Sequence, residues 1–159
     1  MEQFQKQLSS IILVPEISLT SQLVQQFQFY FPNSVITIHS KQTEATRHQV
    51  WQEVIKSTKP LIIIGPRSAL FSPLQNLGLI VIDEAHDPAY YQDNSPRYST
   101  LRLASFIANT KNICCIYGTA TPLIEDFYLA QKNHAYVSLS QKAKNTAINP
   151  ELHLIDLLS

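Results

Sequence analysis

Short, almost wholly apolar runs recur along the chain at Ile11 to Val14, Val35 to Ile38, Leu61 to Ile64, Leu79 to Ile82 and Ile113 to Tyr117. Such runs predict strands covered on both faces of a sheet. Between them, apolar residues at helical spacing, with Ser or Thr near several starts, predict helices over Ser21 to Phe31, Thr43 to Lys56, Thr100 to Ala108 and Leu123 to Gln131. In the second of these, Val50, Trp51, Val54 and Ile55 form one stripe expected to face the core, and Pro60 closes the turn that follows. Strand and helix therefore alternate, which predicts an α/β domain with a mainly parallel sheet. The polar stretch from Ser140 to Asn149 reads as a linker and Pro150 to Leu158 as a further short strand.

Composition narrows the class. With 45% apolar and 15% charged residues, the 159-residue chain can bury one substantial core. Twelve basic residues balance twelve acidic ones, so any contact with nucleic acid must be local. Cys114 and Cys115 are adjacent, unsuited to a disulfide or a zinc site, and read as buried thiols. No apolar run reaches the roughly 18 residues of a membrane span, and the Gln-rich start lacks a signal-peptide core, so a cytoplasmic protein without membrane contact is expected.

Two motifs follow strands directly. Leu79 to Ile82 leads into Asp83-Glu84-Ala85-His86, a Walker B strand ending in a DEAH box. In parallel sheets, ligands sit outside the carboxyl ends of the strands. There Asp83 would hold Mg²⁺ through water, Glu84 would accept a proton from the water attacking a γ-phosphate, and His86 would sense the nucleotide. An isolated acidic pair after a strand is better explained by a helix cap, but the complete box is supported by a second motif, Gly118-Thr119-Ala120-Thr121-Pro122. The Thr119 and Thr121 hydroxyls can bond to the acidic box or to a neighbouring domain, and Thr121 with Pro122 can also open the next helix.

With these motifs in order, the chain resembles the primosomal protein N′ (PriA) replication-restart DNA helicases of superfamily 2. The resemblance rests on Leu13 to Thr20 (Leu-Val-Pro-Glu-Ile-Ser-Leu-Thr), His39-Ser40, Gly65 to Pro73 (Gly-Pro-Arg-Ser-Ala-Leu-Phe-Ser-Pro), Asn76 to Asp87, Pro96-Arg97-Tyr98 and Gly118 to Pro122. It implies a three-layer RecA-like domain of the P-loop NTPase type, ATP and Mg²⁺ as cofactors, and single-stranded or forked DNA as partner. It further implies unwinding in the 3′ to 5′ direction, primosome assembly and replication restart alongside other primosome and single-strand-binding proteins. By the same resemblance Asp83, Glu84, Gly118, Thr119 and Thr121 would face the nucleotide. Pro15, Glu16, Thr20, Arg67 and Ser68 would lie in loops facing DNA phosphates, and Arg97 and Tyr98 in an aromatic-rich loop, Tyr90 to Tyr98, stacking on bases. Any of these tyrosines could instead pack within the loop.

The chain departs from the family's pattern. Its only glycines are Gly65, Gly78 and Gly118, and it contains no Gly-Lys-Thr or Gly-Lys-Ser, so there is no Walker A loop to cradle phosphates. Ser99-Thr100-Leu101-Arg102 stands where the family has a His and an Asp, which leaves that helix's start open. The expectation is a first motor domain, incomplete at its N-terminus, over residues 1–139, with 140–159 leading toward an absent second motor domain. The family's arginine finger and zinc region would also lie outside this chain, which alone would be inactive as an ATPase. The alternatives are a non-enzymatic single-stranded DNA-binding module and a degenerate domain that keeps the motifs only as packing.

Overall fold

The computed structural model describes residues 2–139. They fall into two units, one ending at Leu123 and one beginning at Ile124, where the sequence reading carried the first domain on to residue 139. The predicted linker and strand after Ser140 lie outside the described residues.

The first unit is built on a five-stranded sheet. In chain order its elements are α1 (Glu2–Gln5), β1 (Ser9–Leu13), α2 (Ser21–Tyr30), β2 (Val35–Thr37), α3 (Glu44–Lys56), β3 (Ile62–Gly65), β4 (Leu77–Ile82), β5 (Tyr91–Gln92), β6 (Tyr98–Ser99), α4 (Thr100–Lys111) and β7 (Cys114–Tyr117). Single 3-10 turns at Glu16–Ser18, Arg67–Phe71 and Pro88–Tyr90 follow β1, β3 and β4. The sheet order is β2-β3-β1-β4-β7 and every pairing in it is parallel, while β5 and β6 form a small antiparallel hairpin.

Burial explains the apolar runs. Ile11, Leu13, Ile63, Ile64, Ile80 and Ile82 are 0% exposed, and each such side chain stabilises the fold by roughly 1.5–3 kcal/mol relative to exposure. One face of the sheet packs on α1 and α2 through Phe4, Leu23 and Phe27. The other packs on α3 and α4 through Val54, Leu101 and Ala104. The expected three-layer α/β domain is what the chain forms. Adjacent strands β1 and β4 are thus followed by helices on opposite faces, and in parallel sheets ligands bind at the carboxyl ends of the strands where the connections divide in this way.

Several sequence expectations are corrected. In α3 only Val54 is fully buried, with Val50 partly so; Trp51 and Ile55 are 43% and 44% exposed, because a helix over an edge strand turns only a narrow stripe inward. Strand β7 is the last of the described sheet and is not covered on both faces. Cys114 is accordingly exposed and Cys115 half-buried, and Ile116 is 48% exposed. The open start of α4 is resolved: Ser99 caps it, its hydroxyl accepting from the Arg102 amide at 3.4 Å, and Asn112 ends it in the left-handed conformation, φ 52°.

The second unit is described to Leu139 and contains α5 (Ile124–Lys132), whose Phe127 meets Tyr136, in the segment after the helix, edge to face at 5.0 Å. Because α5 opens at Ile124, Thr121 and Pro122 precede the helix instead of starting it.

Candidate functional site

The carboxyl ends of β1, β4 and β7 are stitched together by backbone bonds. The Asp83 amide donates to the Leu13 carbonyl at 2.9 Å, the Gly118 amide to the Ile82 carbonyl at 2.8 Å, and the Ala85 amide to the Gly118 carbonyl at 2.9 Å. The DEAH box and the Gly-Thr-Ala-Thr-Pro turn are therefore one structure, although some thirty residues separate them in sequence. A Cβ on Gly118 would stand 3.4 Å from Asp83 Oδ1, ordinary contact, so the glycine brings the turn close to the acid without being sterically required there.

Within the box, Asp83 is exposed at the end of β4, and its Oδ1 accepts from the Glu84 amide at 3.0 Å. Glu84 is left-handed, φ 48°, a conformation costly for a residue with a Cβ and found where surroundings impose it. The bends that follow place His86 Nδ1 3.5 Å from Glu84 Oε2 and 2.8 Å from Thr119 Oγ1. Thr119 Oγ1 also accepts from the Thr121 amide at 3.2 Å. The structure thus brings together Asp83, Glu84, His86, Gly118 and Thr119, while Thr121 contributes its amide and an exposed side chain.

Tyr90 is the residue that reading the sequence missed. It belongs to the aromatic-rich loop, yet it is 1% exposed, and its hydroxyl donates to the Asp83 carbonyl at 2.7 Å. Burial, then the charges of Asp83, Asp87 and Glu84, hold its phenol above the usual range. It cannot stack on bases from inside the core. Its neighbours are fixed as well: Asp87 Oδ1 accepts from the Ala89 amide at 2.7 Å, and one Arg67 guanidinium nitrogen donates to the carbonyls of Ala89 and Tyr91 at 2.8 and 3.1 Å. In sequence, only a Tyr closely following an acidic box hinted at this.

The residues assigned to DNA divide. Pro15 is buried and shapes its turn from beneath, so it offers no surface to a ligand. Glu16 is exposed and accepts from both the amide and the hydroxyl of Ser40, bonds that hold its carboxyl below the usual range. Thr20 caps α2, its hydroxyl accepting from the Leu23 amide at 3.2 Å. Arg67 is half-buried on the loop carbonyls and Ser68 beside it is exposed. Arg97 is exposed with Nε donating to the Asp93 carbonyl at 2.9 Å, whereas Tyr98 is half-buried, edge to face on Phe71 with centroids 5.6 Å apart.

Among the described residues no group of three His, Cys, Asp or Glu side chains is arranged to hold a metal, and no helix is long and apolar enough to cross a membrane. Mg²⁺ needs no such cage, since it keeps several waters and takes one or two carboxylates together with substrate phosphates. The exposed Asp83 with Glu84 beside it fits that requirement.

Comparison with known proteins agrees with this geometry. The chain is 38% identical over 149 residues to the replication restart protein PriA of Bacillus subtilis (strain 168), covering 93% of this chain and 18% of the relative. It is 40% identical over 150 residues to PriA of Chlamydia muridarum, with 94% and 20% covered, and 40% identical over 137 residues to PriA of Haemophilus influenzae, with 86% and 19% covered. The chain thus spans about a fifth of the length of these relatives. The DEAD/DEAH box helicase family matches residues 1–127, the span that contains the whole sheet and both motifs, and the chain belongs to that family.

Proposed function

We propose that this chain forms part of the first motor domain of an ATP-dependent DNA helicase that acts in replication restart, and that its DEAH box is half of an ATPase site. The observation that carries the reading is the junction of Asp83, Glu84 and His86 with Thr119 at the carboxyl edge of the parallel sheet. Such an arrangement suits a nucleotide whose hydrolysis must be felt elsewhere. Bound Mg²⁺ would neutralise charge on the phosphates, and Asp83 would hold it through water. Glu84 is the base for the attacking water, and His86 passes the state of the site to the turn at Thr119.

The 159 residues contain no Gly-Lys-Thr or Gly-Lys-Ser. A phosphate-binding Lys and an arginine finger each contribute orders of magnitude to phosphoryl transfer. In this reading the chain by itself does not turn over ATP. In this reading single-stranded DNA lies along the carboxyl edge near Thr20, Ser68 and Arg97, held through phosphates and so without sequence preference. Replication-restart and single-strand-binding proteins would be the partners of the whole helicase.

Fluorescence anisotropy with a labelled oligothymidine across a salt series tests the DNA half of the proposal. Affinity should fall linearly on a log–log plot with a slope set by a few phosphate contacts. Absence of binding at low salt would leave only a degenerate domain that keeps its motifs as packing.

A further inference from the structure

The 3-10 turn that follows β3 grips the loop that follows β4 at two places. Its first residue, Arg67, donates to the carbonyls of Ala89 and Tyr91, and its last, Phe71, meets Tyr98 edge to face. Between them Ala69 and Leu70 are buried in the core, so Arg67 projects from a fixed base. Among the described residues no Asp or Glu pairs with Arg67. Its charge is therefore spent on two carbonyls, and bonds from a guanidinium are stronger than neutral ones.

Those two carbonyls flank Tyr90, whose ring enters the core and whose hydroxyl donates to the Asp83 carbonyl at 2.7 Å. That carbonyl belongs to the peptide joining Asp83 to Glu84. The other end of the same peptide, the Glu84 amide, donates to Asp83 Oδ1 at 3.0 Å. A peptide group is planar, so it cannot turn at its oxygen without turning at its N–H. The hydroxyl of Tyr90 thus fixes the direction of the amide that orients the Asp83 carboxylate. Oδ2 of Asp83 has no hydrogen-bond partner among the described residues and is left for a water of Mg²⁺.

We propose that Arg67 is a positioning residue for the Asp83 carboxylate, acting from a distance through the loop carbonyls, Tyr90 and the Asp83-Glu84 peptide. The inference rests on the reading of the acidic box as half of an ATPase site. Metal affinity depends on such outer partners because they hold a ligand in the orientation that binds. Arg67 would then serve the nucleotide site without touching nucleotide or metal.

The test titrates Mn²⁺, a stand-in for Mg²⁺ with the same preference for carboxylate and water, into the full chain and into its Arg67→Ala and Tyr90→Phe variants, following paramagnetic broadening of amide resonances. In the unmodified chain residues 83–85 should broaden first, ahead of the exposed pair Glu125 and Asp126 at the start of α5, which reports non-specific attraction. Loss of an outer partner lowers metal affinity by roughly tenfold or more, so both variants should need about ten times more Mn²⁺ at 83–85 and the same amount at 125–126. Lower stability alone would not move this readout in the folded population. Removing a cation would by itself strengthen Mn²⁺ binding, so a weakening in Arg67→Ala reports orientation and not charge. Unchanged Mn²⁺ dependence at 83–85 in either folded variant would overturn the inference, and Tyr90→Phe, which keeps the ring, decides it if Arg67→Ala does not fold. Equal broadening of 83–85 and 125–126 in the unmodified chain would instead overturn the half-site reading beneath it.

Discussion

The Tyr90 hydroxyl donates to the Asp83 carbonyl, 2.7 Å away, so the backbone of the acidic box is held from within the core by a residue of the loop it leads into. Asp83 is tied on its other side to Leu13. The carboxylate that would hold Mg²⁺ thus stands on a backbone fixed at both ends, directly before the left-handed Glu84.

Removing the hydroxyl should be felt in stability. Tyr90→Phe keeps the ring but leaves the buried end of the bond unpaired, which costs about 1–3 kcal/mol. Chemical denaturation should show the loss at neutral pH. The pH dependence has a definite sign. Folding holds the phenol above its ordinary range, so the unfolded chain loses this proton first, and stability contributed by Tyr90 declines as pH rises past about 10. The Phe variant should show a shallower alkaline decline than the unmodified chain.

Arg67 is expected to act on the loop more than on DNA. Its two carbonyl bonds flank Tyr90, so Arg67→Ala should raise hydrogen exchange through residues 89–92. Lysine, which lacks the planar fork, should restore little of that protection. Unchanged exchange in the alanine variant would show that the clamp is weak in solution.

Gly65 ends β3 where the neighbouring strand leaves no room. A Cβ there would meet the Ile38 carbonyl oxygen at 2.7 Å and the Ala69 Cβ at 3.1 Å. Backbone cannot yield as a side-chain tip can, and Gly65→Ala is expected to lower stability by about 1–3 kcal/mol in a denaturant titration.

Much of this was legible in the chain. Ile62, Ile63 and Ile64 announce an inner strand because both faces of β3 are covered, and the DEAH box declares the end of β4 that matters. Ile113 to Tyr117 looked the same on paper, but β7 has only one neighbour in the described sheet, and no local pattern reports how many strands lie beyond. The clamp of Arg67 on Ala89 and Tyr91 was hidden for a related reason: its partners are backbone carbonyls, which every residue possesses. Tyr90 and Tyr91 are adjacent and alike in sequence, and only the turn at Pro88 decides that the first is buried and the second 39% exposed.

Thr119 tests how far His86 depends on its neighbour. In Thr119→Val the 2.8 Å contact is lost with little change in shape, so the imidazole nitrogen resonances of His86 should shift while the melting temperature falls by only a few degrees. Unmoved resonances would mean that the two motifs are not coupled through this bond.

The central claim, that Asp83 and Glu84 form half of an ATPase site, is tested most directly by phosphate release from the purified 159-residue chain with Mg²⁺ and ATP, with and without single-stranded DNA, beside its Glu84→Gln variant. The account predicts no release above the variant's background in either condition. Turnover that DNA stimulates and Glu84→Gln abolishes would contradict it, because the site would then be complete.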